Sequence, residues 1–239
     1  MMRMVLLAGL LWASPAWSQT AAMPDMAKHH GGQTYSFATA EVDYTRFDGS
    51  GVVNWDAEGW IGSDMNKFWW RTEGETDGPR LEQVEFQALY SRNVATFFDL
   101  QGGLRYDIEP DRRGYAVIGI QGLAPYFFET QLHAFIGFKG DVLVRLRQSF
   151  DIRMTNRLVL EPMLETDLYL TDVPERRIAS GFSIIEAGVM ARYEVTRKVA
   201  PYVSVMFERR LGGSARLAAA AGENVGGWSL RGGVRFWFN

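Results

Sequence analysis

The chain has no cysteine among its 239 residues. That absence excludes a disulfide framework, a thiolate metal site and a lipoprotein-type anchor, each of which needs a sulfhydryl. Histidine is almost absent too: His29, His30 and His133 are the only three. A hydrolase pairing a Ser or Thr nucleophile with a histidine base therefore has little to work with. Past its first residues the chain holds no unbroken apolar run of the ~18 residues that a membrane helix requires. An excess of positive charge is also lacking. The formal net charge is -3, whereas binding nucleic-acid phosphates calls for a basic surface.

What is present starts with Arg3, the apolar run from Met4 to Trp12, and the small-residue stretch around Ala16, Trp17 and Ser18. That order predicts a secretory signal peptide over residues 1–18. An exported chain without a membrane helix is periplasmic, secreted, or a β-barrel of the outer membrane. Residues 19–34 have little pattern but contain Met23, Met26, His29 and His30. They read either as a plain flexible tail or as a short copper-capturing one, since thioethers suit Cu(I) and imidazoles suit both copper oxidation states.

From residue 35 onward the text alternates. Twelve segments of ten to fifteen residues, each closed by a turn, lie at 35–47, 51–63, 67–76, 80–92, 96–108, 114–124, 126–139, 141–154, 157–170, 182–196, 199–211 and 226–238. In the eighth, Val142, Val144, Leu146, Phe150 and Ile152 oppose Arg145, Arg147, Ser149, Asp151 and Arg153. In the last, Trp228, Leu230, Gly232, Val234, Phe236 and Phe238 oppose Ser229, Arg231, Gly233, Arg235 and Trp237. A soluble sandwich would need a second sheet to cover a dozen such apolar faces. Segments near the nine to eleven residues of a tilted membrane strand fit better with lipid outside and a charged lumen inside. The expected fold is thus all-β: a 12-stranded antiparallel transmembrane up-and-down barrel over residues 35–239. Alternate connections are short, and the two longest, 171–181 and 212–225, fall on the other side, so both termini are expected in the periplasm. Aromatic groups near strand ends, including Phe68, Trp69, Trp70, Phe236 and Trp237, read as interface girdles.

Four soft residues stand out against the inward charges. Met163, Met190 and Met206 have inward parity on three consecutive segments, each six or seven residues from the same end. His133 sits at a similar count on the seventh. A lone methionine usually fills a gap. Three at one depth form an arrangement that Cu(I) would find.

Several runs carry a family resemblance: Trp55-Asp56-Ala57-Glu58-Gly59-Trp60-Ile61-Gly62-Ser63-Asp64-Met65-Asn66-Lys67, Leu89-Tyr90-Ser91-Arg92, Asp99-Leu100-Gln101-Gly102-Gly103-Leu104-Arg105-Tyr106-Asp107, Gln121-Gly122-Leu123-Ala124-Pro125-Tyr126 and Gly233-Val234-Arg235-Phe236-Trp237-Phe238. Together they resemble the copper resistance protein B family. The resemblance implies an outer-membrane barrel, not an enzyme, that binds copper and acts in copper tolerance beside periplasmic copper proteins such as a multicopper oxidase. Members commonly carry a long Met-His tail, here reduced to Met23, Met26, His29 and His30. The expected copper ligands are those four with His133, Met163, Met190 and Met206. The competing expectation is a narrow porin without metal selectivity, its methionines incidental.

Overall fold

A computed structural model of the chain describes residues 33–47 and 50–239. The expected signal peptide, and the tail residues Met23, Met26, His29 and His30, lie outside the described residues. The strands are β1 (Tyr35–Phe47), β2 (Ser50–Gly62), β3 (Asn66–Asp77), β4 (Arg80–Ala95), β5 (Phe98–Glu109), β6 (Arg113–Ala124), β7 (Phe128–Gly137), β8 (Val142–Ser149), β9 (Ile152–Arg153), β10 (Leu158–Tyr169), β11 (Gly181–Tyr193), β12 (Val199–Arg210) and β13 (Gly226–Phe238). One helix, α1 (Gly212–Ala220), sits between the last two.

Each strand pairs antiparallel with its neighbours, and β13 pairs with β1, Glu41 opposite Arg235 and Val42 opposite Val234. The sheet is therefore closed. Closure leaves no edge, so every stave meets its backbone hydrogen bonds inside the wall, the condition for crossing hydrocarbon. Both β8 and β9 pair with β10, which makes them one interrupted stave and the barrel twelve-stranded. The interruption has a local cause across the ladder. Phe150 donates its N–H to the Pro162 carbonyl at 3.3 Å, but Pro162 has no N–H with which to return the bond.

Period-two alternation sorts the side chains as expected. Tyr44, Leu104, Ile118, Val205 and Leu230 are exposed on the outer face, while Arg105, Asp107, Glu161 and Asp167 are buried on the inner one. Phe68 and Trp70 are exposed near the start of β3, as a girdle requires. Trp69 and Trp237 depart from it. Trp69 pairs with Leu89 and Trp60, on the face that carries Arg71 and Glu58, and Trp237 shares the face of Arg235. Both are lumenal: Trp69 packs against Trp60, ring centroids 6.5 Å apart, and the Arg235 guanidinium lies 5.9 Å from the Trp237 ring.

The turns at the end holding both described termini, where β1 begins and β13 ends, are short, whereas the opposite end carries the connections 170–180 and 211–225. Neither is a loose loop. Residues 170–180 fold into the barrel mouth, where Val173 and Ile178 exchange backbone hydrogen bonds of 2.8 and 3.1 Å. Val173 is buried in a cluster with Leu89, Tyr115, Val117, Phe135, Leu143 and Tyr169. One side of the lumen, from β4 to β10, is thus a packed apolar core, where alternation leads one to expect polar side chains within. Helix α1 rests on this connection: Ser214 accepts a hydrogen bond from the Ala179 N–H at 3.0 Å, and Ala218 is fully buried. A nine-residue helix is marginal alone in water, so these contacts hold it.

Candidate metal site in the lumen

Strand register places the inward residues in rows that run around the barrel, each row a chain of directly opposed pairs. One row is acidic: Glu41, Asp56, Glu73, Glu85 and Asp107 stand opposite one another on β1 to β5. Like charges so placed repel. Arginines from other rows relieve four of the five: Arg235 pairs with Glu41 at 2.5 Å, Arg105 with Glu85 at 2.6 Å and with Asp107 at 2.7 Å, and Arg147 with Glu73. Sequence pattern alone does not align these carboxylates, because the offsets between strands are set by the turns.

A second acidic row lies on the other wall, where Glu165 faces Glu186 and Glu186 faces Glu208 on β10 to β12. Arg147 and Arg145 bind Glu165. Glu186 and Glu208 form no ion pair among the described residues.

The methionines lie immediately beside this row. Met163 of β10 faces Gly188 of β11, and Gly188 faces Met206 of β12. Met190, two residues along β11, faces Glu161 on one side and Ser204 on the other. The three thioethers therefore do share one patch of wall on three adjacent strands. Met163 and Met206 are level, and Met190 sits one step nearer the end that holds the termini. Met190 and Met206 are buried and Met163 is half-buried. Met190 is also engaged by a cation, since Arg235 donates from Nη2 to its sulfur at 3.5 Å.

His133 is not brought to this patch. The row through Met163 reaches Ser149 on β8 and then Glu129 on β7, which is ~13 Å along the strand from His133. His133 is buried instead beside Gln101, its Nε2 donating to Oε1 at 2.7 Å, with Arg145 directly opposite on β8 and the Phe135 ring at 6.1 Å. A guanidinium opposite it disfavours a bound cation there. Counting residues from strand ends makes the two positions look level, because it ignores the stagger that closes a tilted barrel.

Oxygen and nitrogen ligands alone do not assemble a site. Among the described residues no group of three or more His, Asp or Glu side chains could hold a metal ion. Such carboxylates as exist are mostly engaged by arginine. What the wall offers to a metal is soft: thioethers, which prefer Cu(I) over hard divalent ions.

Comparison with known proteins bears on the family and on the fold. The family model described as copper resistance protein B precursor (CopB) matches residues 33–238. The copper resistance protein B of Escherichia coli is 32% identical over 213 residues, 89% of this chain and 72% of that protein. The copper resistance protein B homolog of Pseudomonas syringae pv. tomato (strain ATCC BAA-871 / DC3000) is 38% identical over 192 residues, 80% of this chain and 65% of that protein. Among solved structures, the NanC porin aligns with a TM-score of 0.57 at 14% identity, over 83% of this chain and 98% of that one. The KdgM porin in complex with disordered oligogalacturonate aligns at 0.51 and 12% identity, over 84% and 99%. At such identities these two likenesses concern the barrel fold.

Proposed function

The chain belongs to the copper resistance protein B family, and on that footing we propose that its barrel binds copper ions in the lumen and contributes to copper resistance by export or exclusion at the outer membrane. One observation carries the binding step: Met163, Met190 and Met206 face the lumen side by side on β10, β11 and β12. Thioethers are the donors that Cu(I) prefers, and no alternative cluster of harder ligands competes for the metal among the described residues. In this reading the protein binds and passes its ion without catalysing a reaction, and the end holding the termini faces the periplasm. Met23, Met26, His29 and His30 supply a separate set of ligands, and His133 contributes to the polar lining. A periplasmic copper protein such as a multicopper oxidase is the natural partner for an ion handled at that face.

The test is a Cu(I) titration of the folded full chain against a variant carrying Met163→Leu, Met190→Leu and Met206→Leu. Loss of bound copper in the variant supports the reading, and undiminished binding removes these residues from it. The second reading, a porin without metal selectivity, is favoured by the barrel's likeness to the NanC porin. It requires steady conductance for ordinary salts. The apolar cluster and the inserted connection 170–180, which fill one side of the lumen, weigh against a wide passage.

A further inference from the structure

The three lumenal methionines differ in what surrounds their sulfurs, and Gly188 is the reason for part of that difference. A Cβ built at position 188 would land on the Met206 sulfur, and would lie 2.6 Å from the Val205 carbonyl oxygen and 3.1 Å from the Met206 Cε. The Met206 thioether therefore occupies the space that a side chain on β11 would fill. It lies over the strand that separates it from Met163, with nothing but hydrogen on Gly188 in between. Two strand spacings, about 9–10 Å, separate the backbones at 163 and 206. Met206 already leans into that gap, and Met163, half-buried and on the same row, stands on its far side. Met190 has no such freedom. Its sulfur accepts from Arg235, and that guanidinium is itself tied to Glu161 at 2.8 Å and to Glu41 at 2.5 Å. A sulfur lone pair committed to a fixed cation is a poor donor to a second cation.

Resting on the copper-binding reading above, we infer that the methionines divide two and one: Met163 and Met206, facing each other across Gly188, form a two-thioether seat for a soft monovalent cation, and Met190 stands outside it as an anchor for Arg235. Two-coordinate sulfur ligation suits closed-shell d10 ions such as Cu(I) and Ag(I), and discriminates against divalent ions that need more and harder ligands. Gly188 is then the positioning residue of the seat. Any side chain there pushes the Met206 sulfur back toward its own strand.

The experiment uses the full mature chain folded in detergent, methyl-labelled at methionine, and titrated with Ag(I), which mimics Cu(I) without redox chemistry. Each methyl resonance, assigned by its Met→Leu variant, reports its own site, so tail binding is read separately at Met23 and Met26. The expected result is that the Met163 and Met206 methyls shift together along one binding curve while the Met190 methyl stays in place. Met163→Leu or Met206→Leu lowers that affinity by ~tenfold or more, at least the loss that removing an outer-shell partner causes, whereas Met190→Leu lowers it by less than either. Gly188→Ala, with its fold checked by heat-modifiable migration, lowers affinity like Met206→Leu. Because Gly188→Ala also crowds the Val205 carbonyl, the leucine series carries the test should that variant fail to fold. A Met190 methyl that shifts with the other two, or an affinity loss in Met190→Leu matching theirs, overturns the division and leaves the three-thioether reading standing. Silver that moves none of the three overturns both.

Discussion

Arg147 of β8 reaches Glu73 of β3 across the lumen, Nη2 to Oε2 at 2.6 Å, and also engages Glu165 on the neighbouring β10. The two strands are not neighbours in the wall, so this pair ties opposite sides of the barrel together. Both side chains are mostly shielded from solvent, 21% and 13% exposed. Removing one partner would strand the other's charge. Glu73→Gln should lower unfolding free energy by about 3 kcal/mol, measured by urea titration in lipid vesicles, with Glu58→Gln as a comparison at an adjacent-strand pair. Equal stability of Glu73→Gln and the parent would mean that the cross-lumen tie contributes nothing.

Sorting between lipid and lumen can be probed at a single outward residue. Leu104 of β5 is 58% exposed on the outer face, next to inward Arg105. Leu104→Arg should cost about 2–4 kcal/mol if it places a guanidinium in hydrocarbon near the bilayer midplane. The readout is again equilibrium unfolding in vesicles. A neutral effect would place this face in water.

The connection 170–180 acts as a strap across the mouth opposite the termini. Arg176 donates from Nη2 to Asp107 at 3.0 Å and from Nε to Asp111 at 2.6 Å, while Val173 plugs into the apolar cluster beneath. Arg176→Gln should release the strap and raise single-channel conductance in planar bilayers without altering the number of copper ions bound. Unchanged conductance would show that Val173 alone suffices to hold it.

The same strap has a pH dependence with a definite sign. Burial pushes the Asp111 carboxyl up, but hydrogen bonds from Arg113 and Arg176 outweigh it and hold the group below the usual aspartate range; Lys139, 3.5 Å away, adds to the surrounding positive charge. A depressed carboxylate stabilises the strap above its ordinary pKa of ~3.9 and loses that contribution as pH falls through the lower, folded value. Conductance should therefore stay constant from neutral pH down to about 4 and rise only in stronger acid. Asp111→Asn should show the raised level already at neutral pH.

Much of this barrel is legible in the amino-acid order. The segments expected at 35–47 and 226–238 are the strands Tyr35–Phe47 and Gly226–Phe238, because one face in lipid and one in a charged lumen force strict alternation on both. The eighth segment, expected unbroken from 141 to 154, splits at Phe150 and Asp151. The cause, Pro162, sits on the partner strand, outside any window read along β8. The level of His133 is misjudged for a related reason. Alternation gives the face of a residue, but height depends on stagger between strands, which only the pairing supplies. The strap and its apolar bed are hidden because Val173 and Ile178 stand in a loop without alternation, and what Val173 fills is shaped by five other strands. The Met163–Gly188–Met206 row needs register as well: an ordinary strand glycine becomes meaningful only once a sulfur is seen lying over it.

The most direct test of the account is the copper X-ray absorption edge and its fine structure on the Cu(I)-loaded, folded chain in which Met23, Met26, His29 and His30 have been replaced by alanine. Copper is expected to remain bound with an inner shell dominated by sulfur, lost again when Met163 and Met206 become leucine. Copper held only by nitrogen or oxygen, or no copper held at all, would contradict it.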